Sequence, residues 1–196
     1  LEFKKAEEQF KKILQINDKY INGITNYANL KFQLDQHDEA IKLFKKALDL
    51  NDKEENIHYN IGLAYQSNGN FKEAEFHFKE MLKLNPKATG ADRLISRFTK
   101  YDENNNHLKE MLQRDQSIED LNDRAKINLY FALGKAYEDL KDFKKSYLFL
   151  KKANDLTNNQ FIYDKKKNDE FYNDQKKIFN NIGINNISQK NGSKKI

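Results

Sequence analysis

The sequence predicts an all-α protein in which antiparallel helix pairs stack into a solenoid, and three observations carry that expectation. The 196 residues contain one Pro and seven Gly, too few turn residues for a fold of many short strands. Apolar residues make up 38% against 33% charged, and mean hydropathy is -0.98. So polar a chain needs a large surface for its core, which suits an elongated stack better than a sphere. The third observation is a repeat with a period of 34. Ala6, Ala40 and Ala74 recur at that interval, and so do Phe10, Phe44 and Phe78, Leu14, Leu48 and Leu82, and Asn17, Asn51 and Asn85. A final column reads Asp18, Asp52 and Pro86. Self-similarity at such a period marks stacked supersecondary units, each of which buries its apolar face only against its neighbours.

The columns have physical meanings. The small residue and the aromatic stand four apart, one helical turn, and so share a face. Alanine there lets a neighbouring helix approach closely, and the aromatic fills the gap beside it. Asn17, Asn51 and Asn85 are expected to close each helix, because Asn tolerates the left-handed conformation that ends helices. Pro86 cannot continue one.

In the best copy the preceding helix carries His58, Ile61, Gly62 and Tyr65, and the turn Asn68-Gly69-Asn70 leads to Ala74, Phe78 and Pro86. This resembles the tetratricopeptide repeat, W-x2-L-G-x2-Y followed by A-x3-F and P. His58 stands in place of the tryptophan. The preceding copy keeps Ile24, Tyr27, Ala28, Ala40 and Phe44 but has Lys31 where the tyrosine belongs. A later copy reads Tyr130, Leu133, Gly134, Tyr137, Ser146 and Leu150. From Ala74 to Ser146 is 72 residues, which leaves room for one irregular pair. Its helices are expected over Ala88 to Tyr101, with Ala91, Leu94, Ile95 and Phe98 on one stripe, and over Asn106 to Arg114. The next helix is expected from about Ser117 to Leu140, and another from Phe143 to Leu156. The expected organisation is a half repeat at 1–18, repeats at 20–52 and 54–86, a degenerate pair at 87–116, a repeat at 117–158, a capping helix at 160–182 and a linker at 183–196.

The resemblance implies a right-handed α-solenoid whose inner face, lined by the first helix of each pair, binds a partner protein or peptide. The implied groove residues are Asn22, Thr25, Asn26, Asn29 and Gln33 on one helix and Asn56, Tyr59, Asn60, Leu63 and Gln66 on the next. Asn side chains both donate and accept, so a ladder of them suits the backbone of an extended peptide. The alternative role for Asn26 and Asn60, at one repeat position, is to brace neighbouring helices. Some members of the family clamp a chaperone's C-terminal carboxylate with Lys and Asn on the first repeat's first helix and Lys and Arg on that of the third. Thr25 occupies the position of the first of these lysines here, so the clamp is not expected.

A narrower resemblance covers about Ala88 to Asn181. Ala91 to Tyr101, His107 to Met111 and Phe131 to Leu140 are similar to the repeat region that precedes the catalytic domain of certain bacterial tetratricopeptide-sulfotransferases. It implies that the chain is the non-catalytic, substrate-recruiting arm of such an enzyme, with a sulfotransferase domain following Ile196. Leu1-Glu2-Phe3 is neither a signal peptide nor an initiator methionine, and at least one further helix is expected upstream. Two readings therefore stand, a protein-interaction scaffold and a sulfotransferase arm. Both make the chain a binding module.

Catalysis by this chain is not expected. Lacking cysteine, it has no disulfide, thiolate metal site or cysteine nucleophile, and a cytoplasmic location is expected. No glycine loop for phosphate, H-E-x-x-H helix or G-x-S-x-G elbow occurs. His37, His58, His77 and His107 are too scattered for a metal site, so neither metal nor cofactor is expected. The formal charge of +5 includes three lysines after Gly183, leaving +2 for the rest. Acids and bases interleave, as in Lys72-Glu73 and Lys79-Glu80, so nucleic acid is not an expected partner. No apolar run is long enough to span a membrane.

Overall fold

The alanine and phenylalanine columns are buried in the second and third copies. In the computed structural model, which describes residues 2–160 and 165–181, Ala40, Ala74 and Phe78 are fully buried and Phe44 nearly so. The helices are α1 (Glu2–Ile16), α2 (Ile21–Gln33), α3 (His37–Leu50), α4 (Glu55–Ser67), α5 (Phe71–Leu84), α6 (Gly90–Ser96), α7 (Asn106–Gln116), α8 (Asp123–Asp139), α9 (Phe143–Gln160) and α10 (Lys165–Asn181). A 3-10 turn, Ile118–Asp120, precedes α8. The described residues contain no strand, and no helix among them is long and apolar enough to cross a membrane.

The chain divides into two units, Leu1–Thr157 and Asn158–Ile196. The first is an all-α solenoid in which α1 packs on α2, α2 on α3, α3 on α4, α4 on α5 and α5 on α6, while α6 and α7 both pack on α8. One apolar cluster runs from Ile24 to Ile95 and a second from Tyr101 to Ala136. In the second unit, α10 carries the exposed side chains Phe171, Tyr172, Ile178 and Phe179. Residues 161–164 and 182 of the expected capping helix at 160–182, and the expected linker at 183–196, lie outside the described residues.

Close helix contact is made where the repeat supplies glycine. A β-carbon on Gly62 would lie 2.5 Å from Cε1 and 2.8 Å from Cδ1 of Phe78. At Gly134 the facing atoms are Leu150 Cδ2 at 2.6 Å and Cγ at 2.8 Å. The same joint is thus built with Phe in one repeat and Leu in another.

The structure corrects the account of the helix ends. Asn51 and Asn85 do not enter the left-handed region but are extended, with φ of -155° and -139°. Their role is carried by the side chain. Oδ1 of Asn17, Asn51 and Asn85 accepts from the backbone N–H of Lys19, Lys53 and Lys87, at 3.1 Å each. This Asx turn redirects the chain between repeats. The left-handed residues stand instead within each pair, at Asp35 (φ 57°), Gly69 (φ 77°) and Lys141 (φ 60°). The following N–H of Gln36, Asn70 and Asp142 reaches back to the carbonyl of Lys31, Tyr65 and Tyr137 at 2.9–3.0 Å. That is the Schellman closure of a helix C-terminus.

Two helix bounds also differ from expectation. The helix expected over Ala88 to Tyr101 is only Gly90–Ser96, and the one expected from Ser117 begins at Asp123. In the second case Asn122 is extended and its Oδ1 accepts from the N–H of Ala125 at 2.9 Å, an N-cap that starts a new helix rather than continuing an old one. The stripe of the degenerate pair is as expected, with Ala91 and Ile95 buried and Leu94 and Phe98 packed against the first cluster.

Lys31, in place of a tyrosine, is 5% exposed. Its ammonium reaches Glu39 at 2.8 Å, Gln36 at 2.9 Å and Glu7 of α1 at 3.0 Å. Burial alone would lower its pKa, but the hydrogen bonds to Glu39 and Glu7 outweigh that cost and the net shift is upward. Glu7, held by Lys11, Lys31 and the Tyr27 hydroxyl, drops to about 2. A buried cation is tolerated because it is paired and hydrogen-bonded.

Candidate functional site

Two clusters of buried titratable groups merit comparison with an active site. His58 and His77, 6% and 8% exposed, approach Nδ1 to Nδ1 at 3.1 Å. His58 Nε2 is 3.1 Å from the carbonyl of Asp52, which can only accept. Its singly protonated ring therefore accepts at Nδ1 from His77 Nδ1–H. Tyr65 stacks on His77 at 5.6 Å, so the ring is enclosed on its face as well. Burial, then the neighbouring His58, lowers the pKa of His77 from 6.5 to about 4.

The unfolded chain therefore takes up this proton first. The contribution is fully present above pH 6.5 and is lost as pH falls toward 4, and two to three pKa units correspond to about 3–4 kcal/mol. His77→Phe is expected to flatten the stability–pH curve between those values. The slope below pH 4.5 should persist, because the lowered pKa values of Glu7 and Asp139 also generate acid sensitivity there. Urea midpoints measured from pH 4 to 7 check this, and an unchanged slope in the variant would contradict it.

The second cluster joins α6 and α7. Asp92, fully buried, accepts at Oδ1 from His107 Nε2 at 2.8 Å and from Arg114 Nη2 at 2.5 Å. The Tyr101 hydroxyl lies 2.8 Å from His107 Nδ1. Since a carboxylate only accepts, Nε2 carries the ring proton and Tyr101 donates to Nδ1. Burial, then the charge of Asp92, pushes the Tyr101 hydroxyl above its ordinary range and keeps its proton in place. A Tyr–His–Asp chain has the composition of a proton relay, but Tyr101 and His107 are 3% and 2% exposed. No substrate reaches atoms so enclosed, and the cluster acts as a polar joint. No three His, Asp or Glu side chains among the described residues gather in a way that could hold a metal.

The face left by the first helices is different in kind. α2 buries Ile24, Tyr27, Ala28, Leu30 and Lys31 and leaves Asn22, Asn26 and Gln33 exposed, with Thr25 and Asn29 half-buried. In the same register α4 buries Ile57, His58, Ile61, Ala64 and Tyr65, leaves Asn56 exposed, and holds Tyr59, Asn60, Leu63 and Gln66 half-buried. Tyr59 and Leu63 rest on the first apolar cluster, the Tyr59 ring 6.4 Å from that of Phe78. α2 and α4 also touch directly, so the ten residues lie on adjoining helices. None of the side-chain amides of Asn22, Asn26, Asn29, Asn56 and Asn60 is hydrogen-bonded to another described residue. The bracing role for Asn26 and Asn60 therefore has no hydrogen bond behind it.

Carried one period further, the same columns reach residues that the sequence reading left out. Thr25 and Tyr59 are followed by Arg93, and Asn29 and Leu63 by Arg97, both exposed. Applying the 72-residue offset instead brings Tyr59 to Phe131 and Leu63 to Lys135. These four, with Ser96, line a recess of about 350 Å³ between α6 and α8. The signal was the period itself, extended through the irregular pair. Recesses of about 310 and 220 Å³ share Pro86, Glu110 and Arg114 and mix acids with bases.

Models of the tetratricopeptide repeat match residues 56–88 and 127–160, and a model described as a TPR repeat matches 28–69. Among solved structures, that of MamA has a TM-score of 0.60 at 18% identity, with 81% of this chain and 90% of that chain covered. A Podosopora anserina putative kinesin light chain with nearly identical TPR-like repeats has a TM-score of 0.62 at 13% identity, covering 82% and 89%. The structure of Naa15/Naa10 bound to HypK-THB has a TM-score of 0.53 at 23% identity, covering 76% of this chain and 22% of that one. No curated protein sequence matches. With its period, its glycine joints and these matched segments, the chain carries tetratricopeptide repeats over residues 28–88 and 127–160.

Proposed function

We propose that this chain is a protein-interaction scaffold that holds an extended segment of a partner on the face of its first helices. The observation that carries the reading is the ladder Asn22, Asn26, Asn29, Asn56 and Asn60, which are exposed or half-buried and whose amides have no hydrogen-bond partner among the described residues. Such groups pair readily with a peptide backbone, and half-buried Tyr59 and Leu63 add apolar contact. The buried His and Asp clusters serve packing, which supports a role in binding rather than in catalysis by this chain. A cytoplasmic setting, expected from the absence of cysteine, belongs to the same reading. The sulfotransferase-arm alternative rests on sequence resemblance over 88–181, and neither the matched family models nor the site geometry adds to it.

The test is a selection of displayed peptides on the immobilised chain. Asn29→Ala with Tyr59→Ala should weaken the selected peptides by about 1–3 kcal/mol if these residues are hot spots, with helix content unchanged. Peptides that bind the variant equally well, but lose affinity when the charged outer surface of α3 and α5 is altered, would move the site to the other face.

A further inference from the structure

The recess between α6 and α8 carries a charge that its surroundings do not balance. Arg93 and Arg97 stand one turn apart on α6 and at its end, and Phe131 and Lys135 stand one turn apart on α8. The Arg93 guanidinium lies over the Phe131 ring at 4.4 Å, and its Nη1 donates to Asn128 Oδ1 at 3.3 Å. Stacking and that hydrogen bond hold one guanidinium edge in place while leaving other donors free. No acidic side chain lines the recess. Neither arginine has a carboxylate within ion-pair distance among the described residues. Lys135 shares the one carboxylate of Asp139 with Lys100, at 2.5 and 2.8 Å. Burial, then the charge of Arg97, draws the pKa of Arg93 below its ordinary value, as expected where two guanidinium groups repel without a counter-charge.

The rest of the face is uncharged. The residues in the same columns on α2 and α4 are Thr25, Asn29, Tyr59 and Leu63, so positive charge enters at one end only. A nucleic-acid backbone would call for cations along a whole stripe. Three cations in one recess, beside an amide ladder, match a peptide that is neutral over part of its length and acidic over the rest.

We infer that the recess formed by Arg93, Arg97, Phe131 and Lys135 binds side-chain carboxylates of an Asp- and Glu-rich segment in a partner protein. The inference rests on the first-helix face being the binding face, and it names the chemistry of the partner. Arg93 and Arg97 each present paired N–H donors that fit a carboxylate edge-on, and Lys135 supplies a third positive charge. The site differs from the C-terminal carboxylate clamp, whose lysine on the first such helix is replaced here by Thr25, because it is built from α8 as well as α6 and takes internal acidic side chains.

The experiment uses the full chain, a fluorescent decapeptide rich in Glu, the same peptide with Gln for Glu, and a single-stranded oligonucleotide of equal charge, all at about physiological salt. The Glu peptide should bind at least about tenfold more tightly than the Gln peptide, and Arg97→Glu with Lys135→Glu should abolish that preference while leaving the circular dichroism spectrum unchanged. Arg97→Gln with Lys135→Gln should reduce it without reversing the charge. Equal binding of the two peptides, a preference that survives the charge reversal, or tighter binding of the oligonucleotide would each overturn the inference. If the preference is instead lost on Lys79→Glu with Lys83→Glu, on the opposite side of the pairs, the first-helix face itself is wrong. The Asn29 and Tyr59 variant tests that face with peptides selected regardless of charge, so the two failures are distinct.

Discussion

Asp92→Ala is expected to destabilise the array by about 3–5 kcal/mol, because it removes one partner from a buried ion pair and strands the others. Asp92 is fully buried, and the Arg114 side chain that it holds is only 16% exposed. Without the carboxylate, Arg114 and the His107 Nε2–H lose their acceptor, and Tyr101 loses the fixed ring to which it donates. Each unsatisfied buried donor adds a desolvation cost. Asp92→Asn keeps the size and one acceptor oxygen but not the charge, and should fall between wild type and Asp92→Ala. Asp92→Leu combined with Arg114→Met should recover much of the loss, since apolar replacement of a whole buried pair is often neutral or better. Urea denaturation of the four proteins checks the ordering. A loss no larger than that of an exposed change such as Lys79→Ala would show that the network contributes little.

At the glycine joint of the second complete repeat, Phe78→Ala should cost about 3–5 kcal/mol by opening a cavity where a fully buried ring stood. Gly62→Leu should cost about 3 kcal/mol, near the upper end for overpacking, since even its β-carbon would meet the Phe78 ring at 2.5 Å. The two defects are complementary. Combined, the leucine enters the space vacated by the ring, so the double variant should be more stable than the sum of the single changes implies. The Gly134 and Leu150 joint shows that this position accepts an aliphatic chain from the second helix. Strict additivity across the cycle, measured by thermal or urea unfolding, would mean that the two side chains do not share one space.

Both predictions turn on features that differ in how far the sequence discloses them. The period of 34, the helix pairs, and the burial of Ala40, Phe44, Ala74 and Phe78 were legible, because a helical face and a stacking interval are written directly into residue spacing. The first-helix face was legible over α2 and α4 for the same reason. Arg93, Arg97, Phe131 and Lys135 occupy the same columns, but the irregular pair breaks the interval from 34 to 38. The count resumes only once α6 is known to lie directly against α8.

The sequence by itself determined the solenoid, the positions of its small-residue joints and which apolar residues of α2 and α4 are buried. Tertiary structure decided how the exceptions are accommodated. Lys31 is tolerated because Glu7, 24 residues earlier, and Glu39 on the next helix converge on it. Asp92 is tolerated because His107 and Arg114 reach it from α7, and Asn51 and Asn85 turn the chain from an extended rather than a left-handed backbone. A periodic pattern reports which face of a helix is apolar. It does not report which distant polar atoms will meet there, because pairing of buried charges depends on three-dimensional distance and the loss of water around both partners.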